Sequence, residues 1–487
     1  MKFLGLRVED HDSNLTYTDG TKVKYLSTER YFGIKHHGFN NTWQWSDILD
    51  HWDIKIEDID ALAIISDQIE FDRGELYREI DLGLNCRCFA VDHHWAHVLS
   101  QWPVGIPTKN YVFDGYGSNE RSHSLFANTE LVTEYNVNTH GSIGIEMAKV
   151  GATLGLKDVT PDGLDLAGKV MGLAAYGLCD EDYFNKMSQY PLSMIKDIWN
   201  YDSWDRKWDN DFDINWLRTV HELTSWKLAD LLMGEKDNVY STDKVGFSGG
   251  VAQNCVFVGN AIRHGAKLTT IPHANDCGLS LGAVEFLRQH FHEEEFDSSG
   301  FPFWQDDEGT EEVSDDTIVT MAEEIAAGNI VGWYQGHGEL GPRALGNRSI
   351  LCNPRIKNMK DALNSRVKHR EHFRPFGASV LLEDMQDHFV GASQPIPWMN
   401  ASFKCKDENL AAVTHVDGSC RIQTVEGDGQ YARLLRAYKE LTGSSVILNT
   451  SLNLGGKPIA SKHWEAKELF SKTDMDFLVI GNDVLHK

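Results

Sequence analysis

The sequence has no apolar run long enough to span a bilayer, so we expect no transmembrane helix and no membrane partner. Its first residues make a short strand-like run broken by charge at Arg7, which is not the pattern of a signal peptide. The eight cysteines include no Cys-x-x-Cys pair, which predicts reduced thiols in a cytoplasmic protein. Basic residues are also scarce, and the formal net charge of −26 would repel a polynucleotide. We therefore expect no nucleic-acid polymer as a partner.

The chain of 487 residues is long enough for two or three domains, and 41% of its residues are hydrophobic. Strand-length apolar runs alternate with helical patterns, which indicates an α/β protein. Acidic residues without any Lys or Arg fill the stretch from Glu293 to Asp316, which predicts a solvated linker. We place domains at 1–292 and 315–487, with the linker at 293–314. An amphipathic helix is expected near 214–233, and 181–240 carries no recognisable motif.

Three histidines stand within five positions after the apolar run 88–91. If a helix follows, His93 and His97 lie one turn apart on one face, a spacing by which two imidazoles can share a metal ion. The peptidase motif His-Glu-x-x-His needs a glutamate directly after its first histidine, and this chain has His94 there. The pattern predicts a metal site but argues against a metallopeptidase.

Two carboxylates and a polar turn follow other predicted strands. Asp114 ends the strand 111–113 before Gly115, where it could face a ligand or belong to a hairpin turn. Asp276 precedes a helix and could be its N-cap. The turn containing His11 follows the first strand, 3–8, where α/β sheets place ligand groups, although an ordinary turn is an equal alternative.

Two segments have the features of anion sites. The strand–turn–helix at 245–254 places Gly249 and Gly250 before a helix, where free backbone N–H groups suit a phosphate. Between Arg343 and Arg374 nine Lys or Arg residues face only two acidic ones. Because apolar residues are interleaved with these cations, we interpret the segment as an ordered site for phosphate or carboxylate.

Several long motifs occur in one order that resembles a known family. They are Gly341-Pro-Arg-Ala-Leu-Gly-Asn-Arg-Ser349, Phe373-Arg-Pro-Phe376, Gly168-Lys-Val-Met-Gly-Leu-Ala-Ala-Tyr-Gly177 and Ser248-Gly-Gly-Val-Ala-Gln-Asn254. With them the chain resembles the O-carbamoyltransferases of the NodU/CmcH/TobZ family over nearly its whole length. The resemblance implies an actin-like (ASKHA) two-lobed N-terminal domain and a YrdC-like α/β C-terminal domain.

The resemblance also implies a two-step reaction in two cooperating pockets. Carbamoyl phosphate and ATP, with Mg²⁺, would give carbamoyl adenylate and pyrophosphate in a cationic C-terminal pocket. The carbamoyl group would then pass to an acceptor hydroxyl in an N-terminal pocket that holds a metal, usually iron(II). The resemblance allows sugars, antibiotics and hydroxymethylated nucleosides or nucleotides as acceptors, and a second copy of the chain as a partner in a homodimer.

The family's site residues carry over to positions of this chain. The metal ligands would be His93, His97, Asp114 and Asp276. The donor and nucleotide would be held by Arg343, Arg348, Lys368, Arg374, Arg421, Asn449, Ser451, Lys169, Gly249, Gly250 and Asn254. Of these, Arg343 and Lys368 would act in catalysis, and His11 is the candidate general base for the acceptor.

The chain differs from the family pattern in two ways, and two other functions remain as alternatives to carbamoyl transfer. The residues after His11-Asp12-Ser13 are Asn14-Leu15-Thr16, where the family has small residues, and the chain is shorter than typical members. A metal-dependent hydrolase built on His93 and His97 is one rival. A non-catalytic actin-like nucleotide-binding protein is the other.

Overall fold

Three β-sheets organise the protein in the computed structural model, which describes residues 1–39, 44–158, 163–200, 211–234 and 244–487. The strands are β1 Lys2–Arg7, β2 Asn14–Asp19, β3 Lys22–Ser27, β4 Ala61–Ile65, β5 Tyr77–Ile80, β6 Arg87–Val91, β7 Lys109–Phe113, β8 Arg121–Ala127, β9 Glu130–Asn136, β10 Val245–Ser248, β11 Leu268–Thr269, β12 Val331–Tyr334, β13 Arg348–Cys352, β14 Gly377–Leu381, β15 Phe389–Val390, β16 Ala401–Cys405, β17 Ser419–Val425, β18 Ile447–Ser451, β19 Phe477–Ile480 and β20 Asp483–His486. The helices are α1 Thr28–Phe32, α2 Gln44–His51, α3 His93–Leu99, α4 Val137–His140, α5 Ile143–Thr153, α6 Leu166–Ala174, α7 Glu181–Ser188, α8 Ile195–Ile198, α9 Asp211–Met233, α10 Cys255–Arg263, α11 Leu279–Phe291, α12 Asp315–Ala327, α13 Met359–Leu363, α14 Met385–His388, α15 Gln430–Thr442 and α16 His463–Lys472.

The first two sheets repeat one topology. In the first sheet, β1, β2 and β3 form an antiparallel meander, and β4 and β6 continue from β1 in parallel. In the second sheet, β7, β8 and β9 form the meander, and β10 and β11 continue from β7 in parallel. A duplicated order of this kind is the arrangement of actin-like folds, so the predicted two-lobed N-terminal fold is confirmed.

The first sheet is held by close packing against α11. Phe3, Leu4 and Leu6 of β1 are fully buried, and Gly5 lies directly against this helix. A Cβ atom at Gly5 would come within 2.4 Å of the carbonyl oxygen of Ser280. Since the helix follows the loop that carries Asp276, this contact sets the position of that loop at the end of the sheet.

The third sheet has nine strands in the order β15-β16-β17-β14-β18-β13-β12-β19-β20 and forms the α/β C-terminal domain, as expected of a YrdC-like portion. It packs against the second lobe through α10, where a Cβ at Gly259 would stand 2.1 Å from the carbonyl oxygen of Ser402. Polar contacts strengthen the contact: Trp398 Nε1 donates to Thr270 O at 2.7 Å, and His415 Nε2 lies 2.8 Å from Gly172 O. The second lobe and the C-terminal domain therefore share one wall.

The acidic segment 293–314 is solvated only in part. Its residues 297–300 are exposed, as its composition predicted. Gln305 is only 2% exposed, where its side chain accepts from the backbone N–H of Ser27 and its own N–H donates to Gly338 O, and the carboxylate of Asp307 is completely buried against Arg348. These contacts hold the second half of the segment against the protein. The domain boundaries themselves stay a prediction.

Most predicted elements are present with shifted ends. The helix expected near 214–233 is α9. Part of the 181–240 segment, 201–210 and 235–240, lies outside the described residues. Among the helices that are described, none is both long enough and apolar enough to cross a bilayer.

Candidate functional site: a histidine–carboxylate cluster and a cationic wall in one cavity

Two histidines of α3 meet two carboxylates from other elements. The Nε2 atoms of His93 and His97 lie 3.1 Å apart, and each is 3.0 Å from Asp114 Oδ2. Asp276 Oδ1 lies 3.4 Å and 3.5 Å from the same two nitrogens. All four side chains are buried. The structure thus brings together the four predicted metal ligands.

Local sequence explains why these side chains converge. Asp92 caps α3 by accepting from the backbone N–H of Trp95 at 2.9 Å, so the helix begins at His93 and turns both histidines to one face. Asp114 directly follows β7, and Asp276 stands in the loop after β11. Both loops lie at the carboxyl ends of parallel strands of the second sheet, where α/β folds place ligand groups.

The alternatives for the two carboxylates have different outcomes. Asp114 does belong to a hairpin, since β7 pairs with β8, and it still faces the cluster. The N-cap interpretation of Asp276 is wrong, because Gly278 occupies the N-cap position of α11 and no side chain caps that helix end among the described residues. Its carboxylate is instead held between Arg7 and the two histidines.

His94, the middle histidine, is not part of the cluster. Its Nδ1 lies 2.7 Å from Ser124 Oγ, and burial together with the charge of Arg121 lowers its pKa well below the ordinary value. A neutral imidazole bonded to a serine cannot replace the glutamate of a peptidase motif. The structure therefore offers no support for a peptidase at this helix.

The donor set of the cluster suits a divalent transition metal. Two imidazole nitrogens with two carboxylate oxygens are typical ligands of iron(II) and similar ions. Burial acts to lower the pKa of His93, but Asp67 and Asp276 raise it well above its usual value. Burial acts to raise the pKa of Asp276, whereas His93 and Arg7 hold it well below its usual value. The cluster thus attracts positive charge, although metal binding stays a prediction.

His11, the candidate base, lies on the cavity side of this cluster. A ring nitrogen of His11 lies within 4.8 Å of carboxylate oxygens of Asp67 and Asp276, and its Nδ1 is 3.5 Å from Asp12 Oδ2. Burial lowers its pKa, but Asp12 and Asp276 raise it to about 9. The protonated form of His11 is therefore favoured in the metal-free protein, and a cation bound at the cluster would offset the charge of those carboxylates and lower the pKa of His11 again.

A single cavity of about 980 Å³ connects this cluster to the C-terminal domain. Asp114, Asp276 and His11 line one end. The other end is lined by cationic side chains, namely Lys169, Arg343, Lys368, Arg370, Arg374 and Arg421. The two cooperating pockets predicted from the sequence open into one shared cavity, which residues of both N-terminal lobes and of the C-terminal domain line.

The cations of this wall have few counter-charges. Burial and the charges of Arg421 and Arg374 lower the pKa of Arg343 to about 9. Among the described residues, the Nε atoms of Arg343, Arg370 and Arg421 have no hydrogen-bond partner. Glu371 pairs with Lys169 at 2.9 Å and with Arg374 at 3.5 Å, and it is the only acidic side chain among the described residues that pairs with this wall. Unsatisfied guanidinium groups around a cavity are suited to bind polyanions.

Lys368 has the most constrained ammonium group of the wall. It is 3% exposed, and its Nζ donates to Ser451 O at 2.8 Å, Asn453 Oδ1 at 2.6 Å and Asn453 O at 2.9 Å. Burial and the nearby charges of Arg370 and Arg374 lower its pKa well below the ordinary value. Ser451, also predicted, lies beside it in the cavity lining.

Arg348 and Asn449 are predicted site residues that the structure places elsewhere. Arg348 is fully buried, stacks 3.5 Å from the ring centroid of Tyr334, pairs with Asp307 at 2.8 Å and does not line the cavity. Asn449 is also fully buried and donates to Ser379 Oγ and Gln423 Oε1 within the sheet. Both side chains hold the C-terminal domain together and are not available to a ligand in the cavity.

The glycine turn after β10 serves the carboxylate cluster. Gly249 has a φ of +86°, and a Cβ there would lie 2.2 Å from Phe113 O. The backbone N–H of Gly250 donates to Asp114 Oδ1 at 3.0 Å, so this N–H is not free for a phosphate, contrary to the prediction. Asn254 caps α10 through the N–H groups of Val256 and Phe257, although it also lines the cavity.

Sequence reasoning missed three residues of the site. Arg370 lines the cationic wall, Arg7 bonds to Asp276, and Asp67 bonds to His93. Arg7 gave one signal, since it is the only charge within the apolar run at 3–8. No motif or apolar pattern in the sequence around Asp67 indicated that its carboxylate would pair with His93.

Fold and site together define an actin-like two-lobed protein with an appended α/β domain that closes a shared cavity. Residues 322–487 match the family described as Carbamoyltransferase C-terminus. An uncharacterized protein of Methanocaldococcus jannaschii, MJ1058, is 30% identical over 456 residues, which cover 80% of this chain and 72% of that protein. The chain belongs to this carbamoyltransferase family, of the NodU/CmcH type.

Other relatives match in part. Nodulation protein NolNO of Sinorhizobium fredii is 36% identical over 270 residues, 50% of this chain and 40% of that protein. The 3'-hydroxymethylcephem-O-carbamoyltransferase of Streptomyces clavuligerus is 32% identical over 247 residues, 48% of this chain and 47% of that protein. The chain therefore covers less than half the length of each of these two curated relatives. Among solved structures, HypF of T. kodakarensis is similar with a TM-score of 0.39 and 12% identity, covering 60% of this chain and 48% of that one.

Proposed function

We propose that the protein is an ATP-dependent O-carbamoyltransferase. Carbamoyl phosphate is hydrolysed to carbamate and phosphate, and the carbamate oxygen displaces pyrophosphate from the α-phosphorus of ATP, with Mg²⁺, to form carbamoyl adenylate. The hydroxyl of a small-molecule acceptor then takes the carbamoyl group, loses its proton and releases AMP. The proposal is carried by one observation: a single cavity has a cationic wall at one end and a histidine–carboxylate cluster at the other. Family membership and the printed activity of the cephem carbamoyltransferase support the same reaction class.

The cationic wall fits the activation step. Carbamoyl phosphate and ATP together bring several phosphate groups to the cavity. Arg343 and Arg421 line it with their Nε atoms unbonded among the described residues, and Arg374 shares its acidic partner, Glu371, with Lys169. Positive charge fixed in place before the reaction stabilises phosphate and pyrophosphate as they leave. Lys368 cannot move freely, because oxygens of Ser451 and Asn453 accept its three N–H groups, so it contributes positive charge at a fixed position beside the cavity.

The histidine–carboxylate cluster fits the transfer step. When bound by His93, His97, Asp114 and Asp276, a divalent metal such as iron(II) would supply a Lewis acid next to the acceptor. His11 lies at this end of the cavity and, with its pKa lowered by such a cation, would take the proton of the acceptor hydroxyl at its imidazole nitrogen. Enclosure between the two ends limits hydrolysis of the labile intermediate.

Separate assays of the two steps test the proposal. Wild-type protein with ATP, carbamoyl phosphate and a panel of sugars, antibiotics and hydroxymethylated nucleosides should release AMP and add one carbamoyl mass to an acceptor. Lys368→Ala should lower carbamoyl adenylate formation by about 10²- to 10³-fold, the usual effect of removing one charge-stabilising donor. His11→Ala should retain adenylate formation and lose the transfer.

Lys439→Ala is the matched control, because Lys439 pairs with Asp384 at the surface, 42% exposed, and away from the cavity. This variant should behave as wild type in both assays. Full-rate adenylate formation by Lys368→Ala would disprove the assignment of the cationic wall. Carbamoylation of an acceptor without ATP, or metal-dependent hydrolysis in its place, would disprove the reaction.

A further inference from the structure

Arg7 is a buried arginine at the end of an apolar strand. Its side chain is completely inaccessible, and such a charge is tolerated only when partners neutralise it. Its Nη2 donates to Asp67 Oδ2 and to Asp276 Oδ2, both at 2.9 Å, and its Nη1 lies 3.4 Å from Glu9 Oε1. One guanidinium group therefore connects the predicted ligand Asp276 with Asp67, a carboxylate outside the predicted ligand set.

Asp67 uses its other oxygen to hold His93. Asp67 Oδ1 lies 2.6 Å from His93 Nδ1. A carboxylate accepts only, so the proton of this hydrogen bond is carried by Nδ1 of the imidazole. The Nε2 lone pair of His93 is then directed to the cluster, which is the arrangement that metal-binding histidines adopt when a carboxylate orients them.

Each ligand carboxylate has one oxygen engaged by the protein. Asp276 Oδ2 accepts from Arg7, which leaves Oδ1 to face the two histidines. Asp114 Oδ1 accepts from the backbone N–H groups of Gly115 at 2.7 Å and Gly250 at 3.0 Å, which leaves Oδ2 to face them. The chain therefore presents four donor atoms to the centre of the cluster, two nitrogens and two oxygens.

The free side of the cluster is the cavity side. Asp114 and Asp276 line the cavity, whereas His93 and His97 are completely buried behind them. A metal held by four atoms has one or two further coordination positions, and these would be directed to the cavity.

We propose that Arg7 and Asp67 are positioning residues that set how many atoms the protein gives to the metal. Asp67 fixes His93 as an Nε2 ligand, and Arg7 restricts Asp276 to a single oxygen, so that coordination positions stay open toward the acceptor. The inference rests on the metal site of the proposed function. Beyond that function, we infer that the ion pair between Arg7 and Asp67, which lies outside the predicted ligand set, keeps coordination positions of the metal open.

Cobalt(II) titration of metal-free protein, without ATP, carbamoyl phosphate or acceptor, tests this directly. Absorption bands of cobalt(II) report its affinity and its coordination number. Asp67→Ala should weaken cobalt binding by about 10- to 100-fold, as loss of an orienting partner does. Asp67→Asn should restore most of the affinity, because an amide oxygen still accepts from His93 Nδ1.

Arg7→Gln should have the opposite effect. It removes a positive charge and frees Asp276 Oδ2, so cobalt should bind at least as tightly as in wild type, with weaker bands that indicate a higher coordination number. A merely structural role for the pair would weaken binding in both variants. Circular dichroism checks folding, and if Arg7→Gln does not fold, the contrast between Asp67→Ala and Asp67→Asn decides.

Glu79→Gln is the matched control. Glu79 also pairs with an arginine, Arg87, at 2.9 Å, but both side chains are about half exposed. This variant should bind cobalt as wild type does. Equal affinity and equal spectra in all variants would overturn the inference and leave the metal site intact. If wild type binds no cobalt, the metal assignment of the proposed function fails too, while adenylate formation would still report on the cationic wall.

Discussion

Arg421→Gln should stabilise the ligand-free protein while weakening its response to pyrophosphate. Arg421 lines the cavity, its Nε has no partner, and its charge contributes to the lowered pKa of Arg343. The native fold thus holds like charges together in the absence of a ligand. Removing one of them should relieve repulsion even though it removes a binding group.

The expected size follows from the electrostatics of the wall. Two unit charges roughly 8 Å apart repel by about 2 kcal/mol at an effective dielectric constant of about 20. Loss of the Arg421 charge should therefore raise the free energy of unfolding by about 1–2 kcal/mol, which is roughly 1–2 °C in Tm for a chain of 487 residues. For wild type, pyrophosphate at about 100 times its Kd should add about 2.7 kcal/mol, and the variant should gain clearly less.

Thermal unfolding with and without pyrophosphate measures both effects in one experiment. Arg355→Gln is the control, since Arg355 pairs with Asp407 at 3.2 Å outside the cavity, and it should leave the pyrophosphate shift unchanged. If Arg421→Gln lowers Tm without ligand, or keeps the full pyrophosphate shift, the cationic wall is not the strained anion site described above.

Three further predictions follow from single contacts. Gly250→Ala should lower the metal content of purified protein, because the new Cβ would stand 2.9 Å from Asp114 Oδ1 and displace this predicted ligand. Elemental mass spectrometry measures the metal content, and an unchanged content would contradict the positioning of Asp114 by Gly250. Arg348→Met should destabilise the protein by about 3–5 kcal/mol in denaturant unfolding, since it removes the arginine that pairs with the buried Asp307 carboxylate at 2.8 Å and its hydrogen bonds to the carbonyls of Gln335 and Gly336; a loss below 1 kcal/mol would contradict this. Burial and the charge of Arg218 lower the pKa of His221 to about 3 from 6.5, so the unfolded chain binds the extra proton and stability should fall as pH drops from about 6.5 toward 3. His221→Gln should flatten that slope, and an unchanged slope would exclude His221 as its source.

Local patterns in the sequence were enough for the histidine pair and for the cationic wall. A spacing of four residues after a strand places His93 and His97 on one helical face wherever that helix packs. A block of nine basic residues in a chain of net charge −26 marks an anion site without knowledge of the fold. The strands and helices were predicted for the same reason, because their apolar periodicity is local.

Residues whose role depends on distant partners were the ones predicted wrongly or missed. Arg348 was predicted to bind an anion, but in the structure it pairs in the interior with Asp307, which is 41 positions away in the chain. Arg7 and Asp276 are 269 positions apart, and only the packing of the first sheet against α11 brings them together. The single cavity likewise forms only where the C-terminal domain packs against the N-terminal lobes, since residues of all three line it. Sequence determined which chemical groups the protein carries, whereas the tertiary structure decided which of them are neutralised in the core and which remain available, since burial and charge pairing act between residues that are far apart in the chain.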